Sequence, residues 1–233
     1  MAPQRYGWQH LTYIAVMLVL AVVGLWLGKK YAKSERAKTI VVKSLSALLL
    51  IAVLVNRISV VFKTNPPEWN WLLPDSLCGL NSFVLALAGL CGKKDNSVLH
   101  FAWLAGLCGG VIVTVYPDFI SQNSSFMYLP TISGLLHHTL SAVVAIALFV
   151  FGYIRISYQK WYCPFWGFIC YLAAGAFFIT VMGYGDAYHM VNPVLDNTPL
   201  TIWFIAPIFI ALHLVITFTV ELIRKKSKKH NSN

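Results

Sequence analysis

The chain has 233 residues, 58% of them hydrophobic and 11% charged, with a mean hydropathy of +0.67. That composition excludes a soluble domain built on one large core and reads as a polytopic membrane protein. The formal net charge of +10 would suit nucleic acid, but the basic residues sit at the ends of apolar segments and form no stripe interleaved with aromatics, so nucleic acid is excluded as a partner.

Met1 to Gln9 is a short polar start, and residues 11–27 form the first span. Its apolar run is long and its basic cluster follows rather than precedes it, which argues against a cleaved signal peptide. Lys29, Lys30, Lys33, Arg36, Lys38 and Lys43 come next. The second span, 40–62, carries Asn56 and Arg57 near its far end. A segment with Pro66, Pro67, Trp69 and Trp71 comes after it, as expected at a lipid–water boundary.

The third span, 76–92, has its polar residues at one end: Asp75, Ser76, Cys78, Asn81 and Ser82. On one continuous helix, Asp75, Cys78, Asn81 and Ser82 share a face. A polar stripe of that kind should face protein or a water-filled cavity, because polar side chains are expensive in hydrocarbon. This stripe reads as one wall of a site.

The fourth span, 98–116, holds Gly106 and Gly110, a small-xxx-small pattern for close helix packing, within the chain or between copies of it. It ends in Tyr116-Pro117-Asp118. The fifth span, 131–153, carries His137 and His138; the sixth is 163–182 and the seventh 200–223. Residues 224–233 form a basic tail, solvated or lying on anionic lipid.

Basic residues fall in the 1–2, 3–4 and 5–6 connections and in the tail, whereas the 4–5 and 6–7 connections have no Lys or Arg. The positive-inside rule then places the N-terminus outside and the C-terminus in the cytoplasm. The expected fold is all-α: one seven-helix transmembrane bundle over residues 1–223. The five cysteines lie in or at the ends of apolar segments and form no Cys-x-x-Cys pair. Neither a disulfide framework nor a metal site is expected, and no cofactor is implied.

In this topology Arg57, Asp75, Ser76, Cys78, Asn81, Asp118, His137 and His138 all lie toward the outer side. His138 reads either as a general base or as a helix–helix hydrogen-bond partner, with a metal ligand as a third reading. Cys78 is a nucleophile if a His lowers its pKa, and otherwise a small buried residue. Ser76 is a second possible nucleophile, and Asn81 or Arg57 a charge stabiliser. Arg57 needs a partner, either Asp75 or Asp118, or else an anionic head group. Asp75 also fits a plain helix-start acid, and Tyr116-Pro117-Asp118 a plain helix end.

Leu73-Pro74-x-x-Leu77-Cys78 resembles the Pro-Leu-His-Leu-Cys signature of the YwaF-type bacterial integral membrane proteins. The order of the later motifs is also similar: Gly106 and Gly109 leading to Tyr116-Pro117-Asp118, then His138, then Gly183, Tyr188 and Pro193 in the last loop. The resemblance covers spans two to seven and implies a seven-helix bundle in a bacterial cytoplasmic membrane. Tyr188 joins the candidate substrate-binding residues through it. That family is in turn similar to the eukaryotic transmembrane protein 164 acyltransferases, which use a Cys and a His. Carried over by position, the His is His138, while the Cys position holds Asp75, the bacterial His position Ser76 and the loop Asn position Gly185.

Two functions are expected on these grounds. The first is an outward-facing site acting on lipid acyl esters, by acyl transfer or hydrolysis, with membrane lipids as partners and substrate. The second is a non-enzymatic, lipid- or small-molecule-binding sensor or transporter-like protein.

Overall fold

The computed structural model describes residues 6–120 and 125–230. Residues 1–5, 121–124 and 231–233, which include parts of the polar start, of the 4–5 loop and of the tail, lie outside the described residues. Seven α-helices succeed one another: α1 (Trp8–Tyr31), α2 (Glu35–Val61), α3 (Leu77–Cys91), α4 (Ser97–Val115), α5 (Leu129–Val150), α6 (Cys163–Thr180) and α7 (Ile202–His230). Among the described residues there is no strand. All but α3 are long and apolar enough to cross a membrane.

The helix ends explain where the hydropathy reading stops short. Ser34 accepts a hydrogen bond from the Ala37 N–H and starts α2 five residues before the expected span. Pro130 sits in the first turn of α5, where its missing N–H costs nothing. The basic tail is not a separate segment as far as it is described: α7 runs through it to His230, and the Arg224 guanidinium donates to the Ile156 carbonyl. Positive charge near a helix C-terminus suits the helix dipole.

α3 is the exception. It has 15 residues, about 22 Å at 1.5 Å per residue, against a hydrocarbon core of about 30 Å. Ser76 is its N-cap and accepts from the Gly79 N–H at 3.2 Å. Asp75 therefore precedes the helix and leaves the stripe that helical spacing assigned to it. Irregular chain precedes α3, including a 3-10 turn at Trp69–Leu72.

α5 is the central helix, buried along most of its length, whereas the most apolar stretch of α1 buries no residue inside the molecule. α1 is held by polar contacts near its start. His10 Nε2 donates to the Thr114 carbonyl (2.9 Å) and the Tyr13 hydroxyl meets Thr139 Oγ1 (3.0 Å). α4 and α5 touch through glycine. A Cβ on Gly110 would lie 2.5 Å from the His138 carbonyl oxygen and 2.8 Å from the Ala142 nitrogen. Gly106 stands close to Leu85 of α3 and Ser141 of α5. The glycine pair thus does its close packing inside the chain.

At the opposite end from Arg57, Asp95 ties the α3–α4 turn to the chain after α5. Its carboxylate accepts from His100 Nε2 (2.7 Å) and from the Arg155 N–H (3.0 Å). Partial burial works against the charge, but the hydrogen bonds from Arg155 and His100 outweigh it and hold this carboxyl below its usual value.

Three outcomes are expected. Gly110→Ala forces α4 off the α5 backbone and should cost about 1–3 kcal/mol, measured by thermal unfolding in detergent. Gly24→Ala, with nothing within 4 Å of the added carbon, should be neutral or slightly stabilising. A lowered carboxyl pKa contributes stability above its unfolded value and loses it as pH falls through the folded one. Asp95→Asn should therefore cost about 1 kcal/mol at neutral pH, screened at this half-exposed position. Below about pH 4 the difference from wild type should shrink toward zero.

Candidate functional site

α2 carries two adjacent polar residues in its last two turns, and each has a separate task. Asn56 is 4% exposed. Its Nδ2 donates to the Pro130 carbonyl and to Ser133 Oγ, both at 3.1 Å, which fastens α2 to the start of α5. Its Oδ1 accepts from Arg57 Nη2 at 3.0 Å. Asn56 therefore both joins the helices and aims the guanidinium.

Arg57 Nη1 lies 3.5 Å from Asp75 Oδ1, with 13% and 23% of the two side chains exposed. Of the two partners expected from the sequence, Asp75 is the one engaged at this distance. Asp75 reaches Arg57 because it stands ahead of the α3 N-cap rather than on the helix. Its own carbonyl accepts from the Tyr188 N–H at 2.7 Å. The 6–7 loop is thus pinned over this end of the bundle, helped by the Tyr184 hydroxyl, which donates to the Asn70 carbonyl.

Between α2, the start of α3 and α5 lies a cavity of about 160 Å³. Arg57, Asp75, Ser76, His137 and His138 line it, together with Asn56, Lys63, Trp71, Gly134, Val60 and Ile120. His137 and His138 are 3% and 6% exposed, their ring centroids 4.1 Å apart. Among the described residues neither Nδ1 has a hydrogen-bond partner. In proteins a histidine's tautomer is set by what its other nitrogen bonds to; no such bond fixes it here. Each imidazole can therefore offer Nε2 as an acceptor or as a donor.

Four of the sequence candidates stand elsewhere. Cys78 points at α4, its sulfur 3.1 Å from where a Gly109 Cβ would be. Asn81 donates to the Ala102 carbonyl (3.1 Å) and accepts from the Tyr171 hydroxyl (3.3 Å), bracing α3 to α4 and α6. Tyr188 is buried, its ring against Phe178 and Tyr171. Asp118 is itself exposed, on a 3-10 turn, while Ile120 from the same connection reaches the cavity wall. Conversely, Asn56, Lys63 and Trp71 are wall residues that are not among the candidates from sequence. Lys63 Nζ sits 4.3 Å from the Trp71 ring centroid, a cation–π contact at the rim. The available signal is position: both residues flank the end of the second span.

Among the described residues the wall offers two cations, one carboxylate, two imidazoles, one amide and one hydroxyl, that of Ser76. No thiol lines it. Among the described residues no group of three or more His, Cys, Asp or Glu is arranged to hold a metal ion.

The family model described as the TMEM164 family matches residues 5–223. No curated protein and no solved structure matches the chain.

The ion pair sets a testable coupling. Asp75→Asn leaves Arg57 with less counter-charge and Arg57→Met leaves Asp75 alone; each should cost about 1–3 kcal/mol. The double variant should cost clearly less than the sum, by about 1 kcal/mol or more. A double-mutant cycle of unfolding in detergent measures this, and strict additivity would contradict the pairing.

Proposed function

The chain belongs to the TMEM164 family, and from that premise we propose that it is a multi-pass membrane enzyme acting on lipid acyl esters, by hydrolysis or acyl transfer, at the cavity between α2, α3 and α5. The observation that carries this reading is the convergence of Arg57, Asp75, Ser76, His137 and His138 on one cavity at an end of the helix bundle. Buried ionisable groups at membrane depth are costly and mark working sites.

In this reading His138 is the general base. Its Nε2 takes the proton from an attacking hydroxyl, either a water or Ser76 Oγ. The ester carbonyl becomes tetrahedral, and its oxygen gains a negative charge that Arg57 and His137 stabilise as donors. Collapse expels the alcohol of the lipid, which takes the proton back from His138. With Ser76 as nucleophile, an acyl-serine forms and is passed to water or to another alcohol. Asp75 neutralises Arg57 between turnovers. The place of Cys78, against Gly109 and off the cavity wall, favours an oxygen nucleophile over the thiol. By the positive-inside rule the Arg57 end faces outward, and we assign the protein to the cell membrane.

Fatty acid and lysolipid release from mixed phospholipids by purified protein tests the proposal. Wild type should release both, and His138→Ala should lose about 100-fold or more. Cys78→Ala should keep most of the activity, and Ser76→Ala separates direct water attack from an acyl-serine. Folded protein that yields no product above a mock preparation, yet is stabilised by lipid, would replace the enzyme with the non-enzymatic binding reading.

A further inference from the structure

The cavity wall has an imbalance of charge that the acyl chemistry does not require. Arg57 and Lys63 carry two positive charges, and Asp75 carries one negative. Water screens less on the inner side of this space, where Asn56, His137 and His138 are buried, than at its rim, where Lys63 is exposed. The guanidinium meets Asp75 through a 3.5 Å contact, longer than a tight charge-assisted bond. Beside it stand two imidazoles, both more than nine-tenths buried, whose Nδ1 atoms have no partner among the described residues.

From this we propose that the Arg57–Lys63 side of the cavity is an oxyanion subsite, which takes one singly charged phosphate group, with Asp75 as its resting counter-ion. The assignment rests on the lipid-ester reading for its place in a reaction, but its binding chemistry stands by itself. One phosphate monoanion brings the wall to neutrality with Asp75 still present. Its oxygens match the donors available, a planar guanidinium fork below and an ammonium at the rim. A space of about 160 Å³, against the roughly 10–15 Å³ that a cavity needs to hold one water, is enough for a phosphate group and too small for a whole lipid. Trp69 and Trp71 beside the rim are residues typical of the head-group level. A lipid lying there would place its phosphate in the subsite and leave its chains in the bilayer. Glu68 stands just outside the wall, its carboxylate accepting from Trp71 Nε1 at 2.8 Å and within electrostatic reach of Lys63, so it offsets part of the rim charge while leaving Arg57 to Asp75.

The same chemistry is offered by free phosphate and by a phospholipid head group, so the test uses both. Binding to the full-length protein in detergent is followed by thermal stabilisation, with inorganic phosphate in one arm and phosphatidylglycerol micelles in the other. Diacylglycerol micelles, which carry esters and no phosphate, form the third arm. At least one phosphate probe should stabilise wild type and diacylglycerol should not. Phosphate alone acting would assign a free oxyanion, and the lipid alone a head group. Asp75→Asn removes the competing charge and should bind about tenfold tighter. Arg57→Gln should lose binding. Lys63→Gln, at an exposed position that does not hold the bundle together, should weaken it severalfold.

A purely structural ion pair predicts no gain of binding in Asp75→Asn. If that variant binds phosphate no tighter than wild type, or if folded Lys63→Gln binds as well as wild type, the subsite is wrong. The two proposals also fail separately. Fatty acid release from diacylglycerol without any phosphate binding would remove the subsite and keep the ester chemistry. Phosphate binding with no fatty acid released from any lipid would do the reverse.

Discussion

A guanidinium near the end of an apolar helix cannot be left alone, and much of this end of the molecule is shaped by satisfying Arg57. The desolvation of a charge in hydrocarbon is large enough to reorganise its surroundings. Asn56 turns its carbonyl oxygen to Arg57 and commits its amide nitrogen to α5. Asp75 is drawn out of the third helix to face it. The peptide of Asp75 then receives the Tyr188 N–H, and the last loop is fixed in turn. One charge thereby couples α2, α3, α5 and the 6–7 loop, and the space they leave between them is the cavity.

The rest of the bundle obeys simpler rules. Where no charge intervenes, helices approach as closely as their smallest residues allow, as Gly106 and Gly110 do against α3 and α5. Polar residues away from the cavity are used as pairwise fasteners: Asn81 with Ala102 and Tyr171, His10 with Thr114, Asp95 with His100. Satisfaction varies on both sides of that division. Among the described residues His213 Nδ1 and Ser141 Oγ lack partners away from the cavity, as the Nδ1 atoms of His137 and His138 do within it. Asn81 among the fasteners and Asn56 on the wall each bond through both ends of the amide.

Hydropathy makes the helices legible, because about twenty apolar residues in a row have few other uses. Their ends are not, since capping by Ser34 and Ser76 depends on backbone geometry that a hydropathy window does not see. The Ser76 cap also decides where Asp75 goes, which helical spacing alone sets on a stripe with Cys78 and Asn81. Once the helix starts at Leu77, the stripe divides: Asp75 and Ser76 go to the cavity, Cys78 and Asn81 to α4. The histidine pair and Arg57 are legible as candidates because charge and imidazole inside a span are rare. Asn56, Lys63 and Trp71 are hidden because each has an ordinary explanation, as a buried amide, a flanking lysine or an interfacial aromatic. Only the fold shows that they meet.

The shortness of α3 has a consequence for the lipid around it. Its apolar length falls about 8 Å short of the hydrocarbon thickness. A bilayer meets such a mismatch by thinning locally, at fractions of a kcal/mol per Å. Irregular backbone is tolerated at that depth only where protein or water covers it. Water and head groups would then dip toward the cavity on the α3 side, while the long helices α2 and α7 hold the membrane at ordinary thickness elsewhere. The protein would carry its own dimple, tilting nearby lipids so that their polar ends descend to the level of the histidines.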